Sequence, residues 1–169
     1  YKGAPKFPIF NIYDSLLYFF TKTKKLEYLR PVELILKQLC SQGIYDQVEG
    51  GLSRYTVDEN WLIPHFEKML YDNSQFILLM SKFIKINKST YFEKKITQTI
   101  DFINKNFLNS KHNLLGSSYD ADSDGVEGKY YVFNFNELRE IKEIELYFDI
   151  KPEGNWENKI ILREIKPPP

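Results

Sequence analysis

The sequence has one cysteine, Cys40, in 169 residues. A single thiol excludes an internal disulfide and any Cys-x-x-Cys redox or zinc pair. In its apolar helical context Cys40 reads as a small core residue. There are only two histidines, His65 and His112, far apart in the chain, so no metal centre is expected. Net charge is also missing. The 23 basic residues balance 23 acidic ones, which excludes a nucleic acid or an anionic membrane as a partner held mainly by charge. No apolar run approaches the length of a membrane span, and no secretory leader is visible. The expected location is cytoplasmic. Walker loops, dinucleotide fingerprints, serine elbows and kinase signatures are all absent, and no cofactor is expected. The ends, Tyr1 and Pro169, read as cuts through a longer protein.

What is present suits a folded domain, or part of one. Hydrophobic residues make up 43% of the chain, enough for a core. After an extended lead-in with Gly3, Pro5 and Pro8, apolar spacing predicts a helix over 11–24. A second helix should open at Pro31, a favourable first-turn residue, and stop at Gly43. A third is predicted from Pro64 to about Ile86, apolar most of the way round and hence buried. A fourth should run from Ser89 or Thr90 to Phe107, with Phe92, Ile96, Ile100 and Ile103 as its stripe. Short strands are expected over 114–119 and 129–133, then a short helix over 136–147 capped by Asn134 or Asn136. A turn and short strand should follow over 155–162. Sequential antiparallel helix pairs suggest stacked αα-hairpins.

The segment from Gly43 to Asn73 carries the most chemistry. It holds a long polar loop, and such loops inside a compact domain are usually functional. It leads into a stretch bearing His65, Glu67, Lys68 and Asp72. Ionisable groups entering a buried helix must be paired or used. His65 and Asp72 would lie on one helical line, giving an oriented general base, with Glu67 or Asp58 as the acid. The competing reading is a buried network in which Arg54, Lys68 and the carboxylates neutralise one another. Both predict that Arg54, Asp58, His65, Glu67 and Asp72 converge at the start of the third helix.

Asp120-Ala121-Asp122-Ser123-Asp124-Gly125 matches the first half of an EF-hand loop. Position twelve is Tyr131, where a bidentate Glu is required. The alternatives are an irregular cation site or an acidic hairpin loop facing a pocket or solvent. Aromatic content of 16% would suit sugar stacking. Trp61 and Trp156 are the loop candidates for it, against a plain packing role.

Several blocks together resemble a known family. They are Ala4-Pro5-Lys6-Phe7-Pro8, Gly43-Ile44-Tyr45-Asp46-Gln47, Arg54-Tyr55 with Asp58 and Trp61, and Pro64-His65-Phe66-Glu67-Lys68-Met69-Leu70-Tyr71-Asp72-Asn73. Downstream come Asp120-Ala121-Asp122-Ser123, Glu127-Gly128-Lys129-Tyr130-Tyr131-Val132 and Gly154-Asn155-Trp156-Glu157. This order resembles the thioredoxin-domain-containing family of spermatogenesis-associated protein 20, whose bacterial members are labelled N-acylglucosamine 2-epimerase-like.

The resemblance implies a mainly α fold, part of an (α/α)6 toroid of six-hairpin glycosidase type, with a short β-hairpin. Residues 1–169 would form a single fragment from the first half of that toroid, with a thioredoxin-like domain upstream in the full-length protein. It implies a carbohydrate ligand and an epimerase-like or glycoside hydrolase-like activity. His65, Asp58, Glu67, Asp72 and Asp122 would be the catalytic candidates. Arg54, Tyr55, Trp61, Asp46, Asp120, Glu127 and Trp156 would contact substrate. For hydrolysis, Asp58 and Asp122 form the suggested carboxylate pair. The alternative is a non-catalytic scaffold or binding module serving the thioredoxin-like domain.

Overall fold

The computed structural model describes residues 3–168; Tyr1, Lys2 and Pro169, and with them the start of the expected lead-in, lie outside the described residues. Four long helices dominate: α1 Phe10–Thr23, α2 Leu26–Ser41, α3 Leu70–Ile84 and α4 Thr90–Asn106. α1 packs on α2 and α3 on α4, and α1 also packs beside α3. The result is two neighbouring αα-hairpins.

α1 ends where Lys24 turns left-handed (φ 60°) and its N–H donates to the Phe20 carbonyl. Only Lys24 and Lys25 then separate α1 from α2, which makes the two antiparallel. α2 opens five residues before the predicted start, so Pro31 lies inside it. An interior proline removes one helical hydrogen bond. Burial of Leu29, Val32, Leu36 and Leu39 on both sides of Pro31 outweighs that loss.

α3 begins at Leu70, not at Pro64. Residues 64–69 are non-helical because they pair elsewhere. Pro64 bridges Thr56, and β1 (Lys68–Met69) pairs antiparallel with β4 (Ser118–Tyr119). Phe66 has φ 50°, which a right-handed helix cannot contain. Nor is α3 buried all round. Its inner face is Asp72, Asn73, Phe76, Leu79, Met80 and Phe83, while Tyr71 and Leu78 are exposed.

α4 is capped by Ser89, whose hydroxyl accepts from the Phe92 N–H. Its buried stripe is rotated from the predicted one. Phe92, Lys95, Thr99 and Phe102 face inward, and Ile100 is exposed. The polar members of that stripe have internal partners, so tertiary pairing overrides simple hydrophobic periodicity.

The predicted 114–119 strand is realised as two pieces, β3 (Leu114–Leu115) and β4. β3 pairs with β2 (Leu108–Asn109). The predicted 129–133 strand is replaced by a turn, with only Phe133 bridging Ile160. Instead, β5 (Asp122–Ser123) and β6 (Val126–Glu127) form a hairpin within the acidic loop. Its two turn residues, Asp124 (φ 53°) and Gly125 (φ 73°), are both left-handed. That is the Asp-Gly signature of a type I′ hairpin turn. The expected 136–147 helix shrinks to α5 (Phe135–Leu138) and a 3-10 turn over Ile144–Leu146. The Asn134 N–H donates to Glu137, closing its first turn.

Candidate active site

The loop after α2 is held from within. Asn73 of α3 accepts the Leu52 N–H at 2.6 Å and donates to the Leu52 and Met69 carbonyls. Lys68, fully buried, donates to Asp46 at 2.8 Å and to the Gly50 carbonyl at 2.9 Å. Its ammonium also lies 4.1 Å from the Phe102 ring centre and 4.7 Å from that of Tyr131. Burial pulls the Lys68 pKa down, and Asp46 opposes that shift. Asp46 further accepts the N–H groups of Val48 and Glu49. Asp46 is thus a loop anchor rather than an open ligand contact.

Residues 54–56 then run beside 64–67. The Arg54 N–H donates to the Glu67 carbonyl, and the His65 N–H to the Tyr55 carbonyl. Between His65 and Glu67 the chain makes a tight three-residue turn, Glu67 N–H to His65 carbonyl at 2.6 Å, centred on Phe66. Turns of this hand are rare and strained. Packing holds this one: Phe66 stacks against Tyr131 at 5.8 Å and touches Trp156 at 5.2 Å. Gly128 lies so close that a Cβ there would come within 2.5 Å of the Phe66 ring.

This turn displays one group of side chains. Arg54 pairs with Glu67 at 3.2 Å. Asp72, in the first turn of α3, feels both. It is only 8% exposed, and its Oδ2 is buried without a hydrogen-bond partner. Burial raises the Asp72 pKa from 3.8 to about 6, with the Arg54 charge opposing and Glu67 reinforcing. Beside them, His65 stacks on Tyr55 at 4.9 Å, and Tyr55 stacks on Phe7 at 4.6 Å. His65 Nδ1 is 3.2 Å from Glu127 on β6.

The expected convergence is therefore partial. Arg54, Glu67 and Asp72 meet at the start of α3, but His65 lies before the helix, so the expected His65–Asp72 alignment along it fails. Glu127, not Asp72, is the carboxylate that orients His65. Asp58 lies apart: its carboxylate accepts the N–H groups of Asn60, Leu62 and Ile63 and stabilises a turn. Trp61 is buried in the main core, with the Lys6 ammonium 5.0 Å from its ring centre, which fits the packing role. Trp156 is half-buried against Phe66. Asp120 and Asp122 sit at the acidic hairpin, where Asp120 accepts the Asp122 N–H.

The acidic hairpin does not have the architecture of a calcium loop. Asp124 pairs with Lys129 at 2.7 Å. Among the described residues no group of three or more His, Cys, Asp or Glu side chains is arranged to hold a metal ion. Calorimetric titration with calcium is expected to show no micromolar binding, because the twelfth-position carboxylate is replaced by Tyr131.

Sequence reasoning missed Asn73 as the clamp on Leu52, and missed Lys95 and Glu164 as a buried pair. Lys68 was legible as a cation that must be compensated, but not the identity of its partner, Asp46.

No protein-family profile matches the chain. Spermatogenesis-associated protein 20 of rat is 31% identical over 82% of this chain and 19% of its own length, and the mouse protein is 30% identical over the same shares. The chain is a distant homologue of part of spermatogenesis-associated protein 20. An uncharacterised Caenorhabditis elegans protein is 28% identical over 96% of this chain and 27% of its own length. The chain thus spans roughly a fifth to a quarter of the curated relatives it matches, which are larger proteins. Among solved structures, a family 76 glycoside hydrolase from a bovine Bacteroides thetaiotaomicron strain superposes with a TM-score of 0.57 at 14% identity, over 68% of this chain and 24% of that one. The fold is therefore that of a fragment of a helical toroid of glycoside hydrolase type. Among the described residues no helix is long and apolar enough to cross a membrane.

Proposed function

We propose that the chain forms one wall of a carbohydrate-processing site in a larger toroid, with Asp72 as its acid–base residue. The observation that carries this reading is the unpartnered, buried Asp72 carboxyl with its pKa raised to about 6, next to the ion-paired Glu67. Two carboxyls in contrasting environments are the pattern that divides acid from base in glycoside hydrolysis. On this reading protonated Asp72 gives its proton to the glycosidic oxygen as the sugar C–O bond breaks. Glu67 takes a proton from the attacking water. This pair replaces Asp58 and Asp122, since Asp58 is committed to a turn.

A second reading rests on the His65–Glu127 contact. An imidazole oriented by a carboxylate is suited to moving a proton next to a sugar carbonyl, as an epimerase requires. On either reading the fragment works beside a thioredoxin-like domain of the same polypeptide, an arrangement that the greater length of the relatives supports. The scaffold alternative assigns the cluster no chemistry.

The test uses the full-length parent protein with panels of aryl glycosides and reducing sugars. Asp72→Asn should lower glycoside turnover by roughly 10²–10⁴-fold, the usual contribution of a positioned acid or base, while His65→Gln retains most of it. The reverse ranking on reducing sugars supports the epimerase reading. No turnover of either panel by the unaltered protein defeats both and leaves the scaffold.

A further inference from the structure

Away from Arg54, Glu67 and Asp72, an open groove of about 520 Å³ lies between α4, β4 and the acidic hairpin. Its size falls within the ~300–1,000 Å³ range of small-molecule sites. Phe102 and Tyr131 form its floor, and Tyr119 and Tyr130 present exposed rings. Tyr119 is braced from behind by Phe107 at 5.7 Å, so its ring is a held surface rather than a loose one. Tyr119 is the register partner of Lys68 in the β1–β4 pair. The ammonium of Lys68 is stacked against Phe102 and Tyr131, which stiffens the floor.

The polar groups are disposed unevenly. Glu49 and Lys105 pair at 2.6 Å and cancel. Tyr130 also bonds Glu49, and its pKa is raised by that contact. Asp120 and Asp122 have no cationic partner among the described residues, leaving the groove with two uncompensated negative charges. The carboxylates alone would mark only solvated surface. Aromatic walls around a cavity of ligand size give them an object to act on.

We propose that this groove is a binding site for a sugar ring without negative charge, a neutral hexoside or an amino sugar. The tyrosine faces would cover the apolar C–H face of the ring. Asp120 and Asp122 would each accept hydroxyl protons, or hold an ammonium substituent by charge-assisted hydrogen bonds. A uronate, sulfate or phosphate would meet like charge in a partly desolvated cleft. The site is independent of Asp72, whose chemistry it neither uses nor requires.

The test is equilibrium titration of the chain, by calorimetry or saturation-transfer NMR, with methyl glucoside, glucosamine, glucuronate and putrescine. The first two are expected to saturate and glucuronate to bind at least about tenfold more weakly. Tyr130→Ala, at an exposed position, and Asp122→Asn should each weaken glucosamine binding by about tenfold, while Glu140→Gln, an exposed change outside the groove, leaves it unchanged. Putrescine binding as tightly as glucosamine would make this a cation site and overturn the proposal. So would equal binding of glucuronate, insensitivity to both groove variants, or no saturation by either sugar. None of these results bears on turnover at Asp72, so the two readings fail separately.

Discussion

Replacing Asp72 by asparagine is expected to stabilise the protein at pH 8 and not at pH 4. The folded pKa, about 6, lies above the ordinary 3.8 because burial disfavours the charged carboxylate. Below pH 4 the group is protonated in both folded and unfolded chains, and no penalty exists. As pH rises from about 4 to 6 the unfolded chain ionises first, and stability falls. Above 6 the deficit is constant, on the order of 3 kcal/mol at full strength. Asparagine cannot ionise. It still buries an amide beside an oxygen site that lacks a partner, which takes back part of the gain. The net expectation is about 1–2 kcal/mol of stabilisation at pH 8 and none, or a slight loss, at pH 4. Urea unfolding of both proteins at the two pH values measures it. Equal destabilisation at both would mean that the carboxylate is a structural acceptor, and the acid–base assignment would go with it. A stabilising change that removes turnover is what a strained functional group predicts.

The helical frame was largely legible because it rests on period and punctuation. α1 and α4 end within a residue or two of where their patterns stop, and Ser89 caps α4 as its chemistry suggests. Pro31 misled because its local preference for a first turn was weaker than the apolar face running through it. The helix predicted from Pro64 failed for the opposite reason. Its local pattern was helical, but residues 64–69 have backbone partners in Thr56, Tyr119 and Ser118, up to some fifty positions away. Such pairing leaves no periodic trace in six residues.

The site was legible in membership more than in geometry. Arg54, Glu67 and Asp72 meet, yet they do so around a left-handed Phe66 that a helical reading cannot contain. The partner of His65 lies on a hairpin sixty residues downstream, and no spacing rule connects Glu127 to it. Asp58 and Trp61 stand out in the sequence by type alone, a carboxylate and an indole in a loop. Their actual partners, three backbone amides and a buried core, are visible only once the loop is folded.

The largest stability effect is expected at Glu164. Its carboxylate holds Lys95 at 2.6 Å and accepts the Tyr91 hydroxyl at 2.6 Å, and both ionic side chains are almost fully buried. Lys95 also donates to Gln47 at 2.8 Å and faces the Tyr45 ring at 4.4 Å. The Glu164 N–H meanwhile donates to the Ser41 carbonyl at the end of α2. The pair therefore ties the last segment, α4 and the root of the site loop into one unit. Glu164→Leu would leave the Lys95 ammonium buried without a counter-ion, facing only Gln47 and tyrosine rings, a loss of about 3–5 kcal/mol. Lys95→Met alone should cost a comparable amount by orphaning the carboxylate. The double variant removes both charges and replaces them with packing. It should recover most of the loss, remaining within about 2 kcal/mol of the parent because Tyr91 and Gln47 each still lose a hydrogen bond. Urea denaturation of the three variants measures this cycle. If the two single costs simply add in the double variant, the pair is not coupled, and the C-terminal segment would be held by Ile160, Ile161 and Leu162 packing alone.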